Sequence, residues 1–259
     1  MTNNTEKTVL PQNIEKDDRV VVRMEHIKKS FGDTVVLSDM NLILNQGENL
    51  IILGKSGTGK SVLIKCIVGL LDPDDGKLII FGKDIADLSD NELDTQRKKI
   101  GFLFQSGALY DSMTVRENLE FPLKSLRPSV PQEKMDTLVE EALKDVGLED
   151  SIDKTPSELS GGMRKRLGLA RTLILKPEIM LYDEPTTGLD PITSKEISRL
   201  ILEVQKKHKT SSIIITHDIE CARLTANRVI VLKEGCSDAE GTFEELEHTE
   251  DPWVRSFFE

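Results

Sequence analysis

The octapeptide at residues 54–61 constrains the fold of this chain more than any other stretch, because it reads G-x-x-x-x-G-K-S. An apolar run at residues 49–53 precedes it and is typical of a buried parallel strand, and residues 61–68 can continue it as a helix. In this context the glycines let backbone N–H groups converge on phosphate oxygens at a helix N-terminus. The residues predicted to contact a nucleotide there are Gly54, Lys55, Ser56, Gly57, Thr58, Gly59, Lys60, Ser61 and Val62.

Two side chains of this phosphate loop have distinct predicted roles. The Lys60 ammonium would reach the β- and γ-phosphates of ATP, and the Ser61 hydroxyl would bind Mg²⁺. The alternative is a glycine-rich turn that matches the pattern by accident. The strand before the loop and the helix after it favour nucleotide binding over that alternative.

The charge balance and the cysteines exclude some classes of function. The 259 residues carry 45 Asp plus Glu against 34 Lys plus Arg, a formal charge of −11, and general nucleic-acid binding needs a basic surface instead. No apolar run approaches the roughly 18 residues of a membrane span, and the N-terminus lacks the apolar centre of a signal peptide. Cys66, Cys221 and Cys236 lack C-x-x-C spacing, so we expect free thiols in the reducing cytosol.

The pattern along the chain is that of an α/β protein. Apolar runs predict strands at residues 20–25, 35–44, 49–53, 77–81, 100–104, 178–182, 212–215 and 228–232. Capping and periodicity predict helices at residues 61–68, 89–98, 114–120, 132–146, 160–175 and 190–207, the third of them stopping near Pro122. We expect a flexible tail at 1–19, a domain at 20–245 with a helical insert at about 106–175, and a C-terminal tail at 246–259.

Short motifs follow the phosphate loop in a particular order. They are Gln105, the stretch Leu-Ser-Gly-Gly-Met at residues 159–163, the pair Asp183 and Glu184, Gly-Leu-Asp at residues 188–190, and His217. In this order they resemble the nucleotide-binding subunit of an ATP-binding cassette (ABC) transporter, over about residues 20–245, and residues 159–163 resemble its signature sequence. The resemblance implies an α/β fold: a RecA-like P-loop NTPase core with an N-terminal antiparallel β-subdomain and an inserted α-helical subdomain.

Four of these residues have roles around the phosphates. Asp183 follows a buried run and would bind Mg²⁺ directly or through water, and Glu184 would accept a proton from the attacking water or orient it. Gln105 resembles the family's Q-loop residue, which would contact Mg²⁺ or the water. His217 resembles the switch histidine, which would bond the γ-phosphate, although a lone histidine at a strand end is more often structural.

The remaining implied contacts concern the base and a partner subunit. Phe31 matches the aromatic residue that stacks on adenine in this family, although a phenylalanine in a turn is more often a core anchor. Ser160, Gly161 and Gly162 of the signature are implied to contact the γ-phosphate held by a second copy, with Asp190 at the same interface. Two ATP molecules would then be buried in a head-to-tail dimer. Ser160 and Asp190 also suit helix N-caps, a role that needs no dimer.

Narrower features resemble one group within the family. Met163, residues 105–115, residues 182–193 and residues 251–258 resemble the Mla-type ATPases, which serve phospholipid traffic between the membranes of Gram-negative envelopes. The resemblance implies separate transmembrane permease subunits, a periplasmic lipid-binding subunit and a peripheral location on the cytoplasmic side of the inner membrane. Residues 236–239 stand where the family has apolar strand residues, so we expect a shortened last hairpin.

Other functions stay open at this point. An ATPase subunit of an amino-acid or other small-solute importer is the main alternative. A non-transport ABC ATPase and a small-molecule kinase are disfavoured, because the chain has no Cys cluster and a kinase has no use for the signature. The aromatic residues Trp253, Phe257 and Phe258 either pack on their own domain or dock on the partner subunit.

Overall fold

A computed structural model describes residues 19–259, so the predicted N-terminal tail lies, apart from its last residue, outside the described residues. One sheet forms the framework of this part of the chain. Its strands are β1 (Val20–Phe31), β2 (Thr34–Asn45), β3 (Asn49–Gly54), β4 (Asp75–Ile80), β5 (Lys83–Asp84), β6 (Ile100–Leu103), β7 (Ile179–Asp183), β8 (Ser211–Ile215), β9 (Arg228–Lys233) and β10 (Cys236–Gly241). They lie side by side in the order β5-β4-β1-β2-β10-β9-β3-β8-β7-β6.

Helices pack against this sheet and against one another. They are α1 (Lys60–Ile67), α2 (Asp90–Arg97), α3 (Val115–Leu126), α4 (Gln132–Val146), α5 (Gly161–Leu173), α6 (Pro191–His208), α7 (Ile219–Thr225), α8 (Phe243–Glu247) and α9 (Pro252–Arg255). Short 3₁₀ helices occur at Ile85–Asp87, Glu149–Ser151 and Pro156–Glu158. Across residues 19–259, none of the helices has both the length and the apolar character needed to cross a bilayer.

Strand β3 lies inside the parallel part of the sheet and leads into the phosphate loop. It pairs in parallel with β8 and β9, and β7 pairs in parallel with β8 and β6. Leu50 and Ile52 belong to one buried cluster together with α1, whereas Ile51 and Leu53 belong to a second cluster with α5 and α6. Both faces of β3 are therefore covered, and the loops after β3, β6, β7 and β8 meet at one edge of the sheet.

Strands β1, β2, β4 and β5 extend the sheet in antiparallel pairing. The extension joins the parallel part through β2 and β10, where Asp39 lies opposite Cys236. The Ser38 hydroxyl donates to the carbonyl of Glu234 at 2.8 Å across this junction. The β1–β2 hairpin also lies beside the phosphate loop, since a Cβ atom built on Gly59 would be 2.9 Å from the carbonyl oxygen of Val36. This packing fixes the hairpin relative to the loop.

Helices α3, α4 and α5 contact one another between β6 and β7 in chain order. Helix α4 has its predicted bounds and ends at Gly147, whose φ of 66° is a left-handed conformation that glycine adopts easily. Its buried residues are Met135, Leu138, Val139, Ala142, Leu143 and Val146. This spacing places them on one face of the helix, which explains why the apolar periodicity of the sequence predicts the helix correctly.

Two local predictions are wrong. Helix α3 does not stop near Pro122 but continues to Leu126, because Leu119 and Leu123 on its inner face are fully buried in the core. That burial outweighs the lost backbone hydrogen bond of an internal proline. The last hairpin is not shortened either, since β10 pairs with β9 from Cys236 to Gly241 around a bulge. The left-handed Glu234 and Gly235 form its turn.

The C-terminal tail packs on its own domain. The Phe258 ring lies edge-on to Phe243 at 5.0 Å between centroids, and the Trp253 and Phe257 rings make a similar contact at 5.0 Å. The Lys233 ammonium lies 4.3 Å from the centroid of Trp253. These contacts match the first of the two alternatives for the tail aromatics, although the three rings keep part of their surface exposed.

Candidate functional site

The phosphate loop runs from the end of β3 to the start of α1. Gly57 has a φ of 81° and Gly59 a φ of 100°, which are left-handed conformations that other residues rarely adopt. A Cβ atom on Gly57 would meet nothing within 4 Å, whereas one on Gly59 would clash with β2. The loop therefore needs glycine for backbone curvature at Gly57 and also for close packing at Gly59.

The Lys60 side chain folds back over this loop. Its ammonium donates to the carbonyl oxygens of Gly54, at 2.6 Å, and Lys55, at 2.9 Å. Burial lowers the pKa of Lys60, while the carboxylates of Glu184 and Asp183 oppose that shift. The structure thus brings the predicted phosphate-binding cation and the predicted catalytic carboxylates into one electrostatic environment.

The backbone of the loop fits a phosphate group. Within the described residues, the N–H groups of Gly57, Gly59 and Lys60 donate to no protein acceptor. They belong to a curved loop and the first turn of a helix, where N–H groups converge and the helix dipole favours an anion. Together with the Lys60 ammonium, this set of donors matches the phosphate oxygens of a nucleoside triphosphate.

Asp183 ends β7 opposite Ile215 of β8, on the sheet edge where the phosphate loop lies. Burial is the largest effect on the pKa of Asp183 and raises it, and the charge of Glu184 raises it further. Lys65, Lys60 and a hydrogen bond from Ser61 act in the opposite direction. The hydroxyl of Ser61 and the carboxylate of Asp183 are thus adjacent, as the predicted metal site requires.

The oxygen donors of Ser61 and Asp183 are of a kind that fits Mg²⁺. In residues 19–259, His, Cys, Asp and Glu side chains form no cluster of three that could hold an ion. Mg²⁺ is commonly bound through one or two carboxylates together with substrate phosphates and water. Asp183 and Ser61 provide oxygen ligands of this kind, beside the loop whose donors fit the phosphates.

Glu184 has an unusual backbone and a well-held side chain. Its φ of 52° is left-handed, a strained conformation that is common at functional sites. Its N–H donates to the carbonyl of Ile215 at 2.9 Å. Its Oε2 atom lies 2.7 Å from Nδ1 of His217 and accepts a hydrogen bond from the hydroxyl of Thr187 at 3.2 Å. The structure therefore brings the two predicted catalytic residues into direct contact.

Gln105 follows β6 by two residues and is exposed. Its carbonyl oxygen accepts a hydrogen bond from the ammonium of Lys165 at 2.5 Å, and the same ammonium lies 3.3 Å from the carbonyl oxygen of Glu184. Lys165 was missed by the sequence analysis. The available signal was its spacing of three residues from both Gly162 and Gly168, which places a lysine on the buried glycine face of α5.

The signature residues and Asp190 lie beside each other at the starts of α5 and α6. Ser160 caps α5 through a hydrogen bond from the N–H of Met163 at 3.3 Å, and Asp190 caps α6. A Cβ atom on Gly162 would lie 2.6 Å from Cγ2 of Thr193, so this glycine also serves packing between the helices. Hydrogen bonds from Thr193 and Ile192 hold the pKa of Asp190 below its usual value.

Phe31, at the tip of the β1–β2 hairpin, is 48% exposed and has the ammonium of Lys29 5.7 Å from its ring centroid. Among the described residues, no hydrogen bond or ion pair joins Phe31, Ser160 or Asp190 to the phosphate loop. The structure thus gathers Lys60, Ser61, Asp183, Glu184 and His217 in one place. The exposed residues Phe31 and Ser160 lie apart from this group.

The model of the ABC transporter family matches residues 37–187. The probable ribonucleotide transport ATP-binding protein mkl of Mycobacterium leprae is 40% identical over 92% of this chain and 68% of that protein. The chloroplastic protein TRIGALACTOSYLDIACYLGLYCEROL 3 of Arabidopsis thaliana is 39% identical over 94% of this chain and 75% of its own length. The methionine import ATP-binding protein MetN of Rhizobium johnstonii is 40% identical, over 85% and 60%.

Solved structures of ABC cassettes have the same fold as this chain. The cbiO1 protein from Clostridium perfringens, part of the ABC transporter complex cbiONQ, superposes with a TM-score of 0.82 at 32% identity, covering 92% of this chain and 94% of that chain. The ATP-binding cassette MJ0796, in a dimeric post-hydrolysis state bound to ADP and Pi, gives a TM-score of 0.76 at 35% identity, covering 86% and 98%. The chain belongs to the ABC transporter family and is its ATP-hydrolysing, P-loop-containing cassette subunit.

Proposed function

We propose that this ATPase powers phospholipid transport across or between bacterial envelope membranes through separate permease subunits. The main support for phospholipid as the substrate class is the similarity, over most of both chains, to a relative that is named after a glycolipid, trigalactosyldiacylglycerol. The Mla-like residues 105–115 and Met163 of the signature point in the same direction. We place the protein on the cytoplasmic side of the inner membrane, where its ATP is supplied and its permease is embedded.

In the proposed reaction, the chain's own groups divide the work on ATP and water. Lys60 and the N–H groups of the phosphate loop bind the phosphate oxygens, and Phe31 stacks on the base. Glu184 accepts the proton of the attacking water, and His217, whose Nδ1 lies against the Glu184 carboxylate, bonds the γ-phosphate. Mg²⁺, held by Ser61, Asp183 and Gln105, would neutralise developing phosphate charge.

The other half of each ATP site is proposed to come from a second copy. The start of α5, where Ser160 is exposed, Gly161 is partly exposed and Gly162 is buried, would present its N–H groups to the γ-phosphate bound by the partner. Asp190 lies beside this start and would contact the partner too. The dimeric MJ0796 structure supports this arrangement, since that cassette and this chain share the fold.

An apolar groove beside Gln105 is the proposed docking place of the permease. Phe102, Phe104, Ala108 and Leu126 contribute to its wall, and its volume is about 460 Å³. Phe104 and Leu126 are 39% and 42% exposed, which is high for large apolar side chains. A segment of a membrane subunit that enters this groove would touch the loop that carries Gln105. The membership of cbiO1 in a transporter complex supports a partner of this kind.

The experiment for the substrate is purification of the complex from membranes, followed by reconstitution. Copurification of a permease and a periplasmic lipid-binding subunit, with ATPase activity that rises on adding phospholipid, is the expected result. The methionine-import relative favours the alternative of a small-solute importer. Copurification of a small-solute permease, with activity that responds to an amino acid and not to phospholipid, would reject the lipid assignment.

A further inference from the structure

Lys165 is a buried lysine that lies within electrostatic reach of the Glu184 and Asp183 carboxylates but forms an ion pair with neither of them. Only 7% of the residue is exposed, and none of the ion pairs in the described part of the chain includes it. Its ammonium instead contacts two backbone carbonyl oxygens, those of Gln105 at 2.5 Å and Glu184 at 3.3 Å. A buried ammonium is costly unless its hydrogen bonds are well placed. Both acceptors belong to residues of the ATP site.

The face of α5 that contains Lys165 packs along the loop after β6. Three residues further along, Gly168 lets the backbone of Gly107 approach so closely that a Cβ atom would lie 3.1 Å from the Gly107 carbonyl oxygen. After another three residues, the guanidinium of Arg171 donates to the carbonyl of Ala108. Contacts at positions i, i+3 and i+6 fall on one side of a helix. The loop and α5 therefore behave as one packed unit.

The backbone of Glu184 is fixed on both sides of the residue. Its N–H group bonds to Ile215 of β8, and its carbonyl group faces Lys165 of α5. Between these two contacts lies the strained left-handed conformation with φ of 52°. Such a conformation persists only where the surroundings hold it, and it sets the direction in which the Glu184 carboxylate points.

We infer that Lys165 is a positioning residue for ATP hydrolysis, whose ammonium holds the backbones of Glu184 and Gln105 against the signature helix α5. The inference rests on the proposed role of Glu184 as proton acceptor. Lys165 itself does not face the reacting atoms through any contact in the structure. It fixes the orientation of the Glu184 carboxylate, and displacement of a catalytic group by about 1 Å can cost about 100-fold in rate.

The test compares variants of the full-length chain in steady-state ATP hydrolysis. Lys165→Met keeps the length and apolar stem of the side chain but removes the ammonium. We expect kcat to fall about 10- to 100-fold while KM for ATP stays within about twofold, because the phosphate-binding groups are untouched. Lys165→Arg, which retains N–H donors, should recover part of kcat. A lysine with a merely structural role would not produce this separation of kcat from KM.

Arg166→Met is the matched control on the same helix. Arg166 holds α5 to its neighbours through the carbonyl of Val146 at 3.0 Å and the carboxylate of Glu196 at 3.0 Å. We expect this variant to lose thermal stability and keep kcat. A folded Lys165→Met variant with the kcat of the wild type would overturn the inference. If that variant does not fold, Lys165→Gln, whose shorter neutral side chain cannot reach both carbonyl oxygens, decides: reduced kcat with unchanged KM supports the inference, and the kcat of the wild type overturns it.

Failure of this inference can be told apart from failure of the proposed role of Glu184. The Glu184→Gln variant is measured in parallel. If Glu184→Gln abolishes turnover and a folded Lys165→Met does not reduce it, Glu184 is catalytic without help from Lys165. If Glu184→Gln itself turns over normally, the proton-acceptor assignment is wrong and the inference falls with it.

Discussion

Nδ1 of His217 lies 2.7 Å from Oε2 of Glu184, and the backbone N–H of His217 lies 3.3 Å from the same oxygen. The two residues come from loops after different strands, β8 and β7, and are 33 positions apart in the chain. The side chain of Glu184 is 13% exposed, whereas that of His217 is 67% exposed. The carboxylate is thus the enclosed partner, and the imidazole lies on its open side.

Replacing Glu184 by glutamine should stop hydrolysis but leave ATP binding intact. The amide keeps the shape and the hydrogen bond with Thr187 but cannot accept a proton, so we expect kcat to fall by about 100- to 10,000-fold. Size-exclusion chromatography with ATP should show an accumulated dimer. Glu203→Gln, an exposed carboxylate on α6, is the control and should hydrolyse ATP normally. Near-normal turnover of Glu184→Gln would reject the assignment.

Replacing Lys60 by alanine should weaken nucleotide binding itself. The change removes a cation that lies over the carbonyls of Gly54 and Lys55 and would pair with the phosphates. We expect the Kd for ATP to rise about 10- to 100-fold, which is the usual range for a charge-assisted hydrogen bond. Calorimetry measures this change. Lys77→Ala removes an exposed lysine from β4 and should leave Kd unchanged, and an equal loss in both variants would show a nonspecific charge effect.

Mixed dimers test whether the signature acts across the subunit interface. One chain carries Lys60→Ala, the other carries Ser160→Arg, and both carry Glu184→Gln to block hydrolysis. If Ser160 serves the partner's ATP, one site receives both defects and the other stays whole. We expect one tightly held ATP per dimer, counted after rapid desalting.

The converse mixture pairs a chain that has both changes with an otherwise wild-type chain. In the trans arrangement each site then has one defect, so no tightly held ATP is expected. The reverse pattern, with none in the first mixture and one in the second, would show that each chain uses its own signature. Ser160 would then be an ordinary cap of α5.

Removal of the C-terminal tail from Asp251 should lower stability, because its rings pack on the domain. Phe258 contacts Phe243 and Trp253 contacts Lys233, but both tail rings keep part of their surface exposed, so we expect a loss of about 2 kcal/mol, or about 4–8 °C in melting temperature. Glu259→Gln at the exposed terminus is the control. An unchanged melting temperature together with weaker ATP-dependent dimerisation would instead support docking of the tail on the partner subunit.

Features set by local chemistry could be predicted from the sequence. Ser89 and Glu92 form the expected capping box of α2, with the serine N–H bonded to the glutamate at 3.2 Å. Asp190 followed by proline starts α6 where predicted, and the apolar stripe of α4 is buried as predicted. In each of these cases the residues that form the sequence pattern and the residues that they contact lie within about one or two helical turns of each other.

Features set by distant contacts could not be predicted in the same way. The continuation of α3 past Pro122 depends on the core beneath Leu123, and β10 forms although it is polar because β9 and β2 offer it partners. The contact of Lys165 with Glu184 joins residues 19 positions apart on different elements. The motifs predicted which residues the structure brings together beside the phosphate loop. Their order did not indicate what holds the Glu184 backbone.

Helix α5 gives the two halves of the proposed dimer a means of communication. Ser160 caps its first turn, and Lys165, which contacts the Glu184 backbone, lies only about 7–8 Å further along the axis. In the head-to-tail arrangement the first of these residues faces the partner's nucleotide, whereas Glu184 serves the chain's own. Occupancy of one site would then alter the hydrolysis rate at the other. We therefore expect the two sites to be coupled, with a Hill coefficient for ATP that departs from one and returns toward one in Lys165→Met.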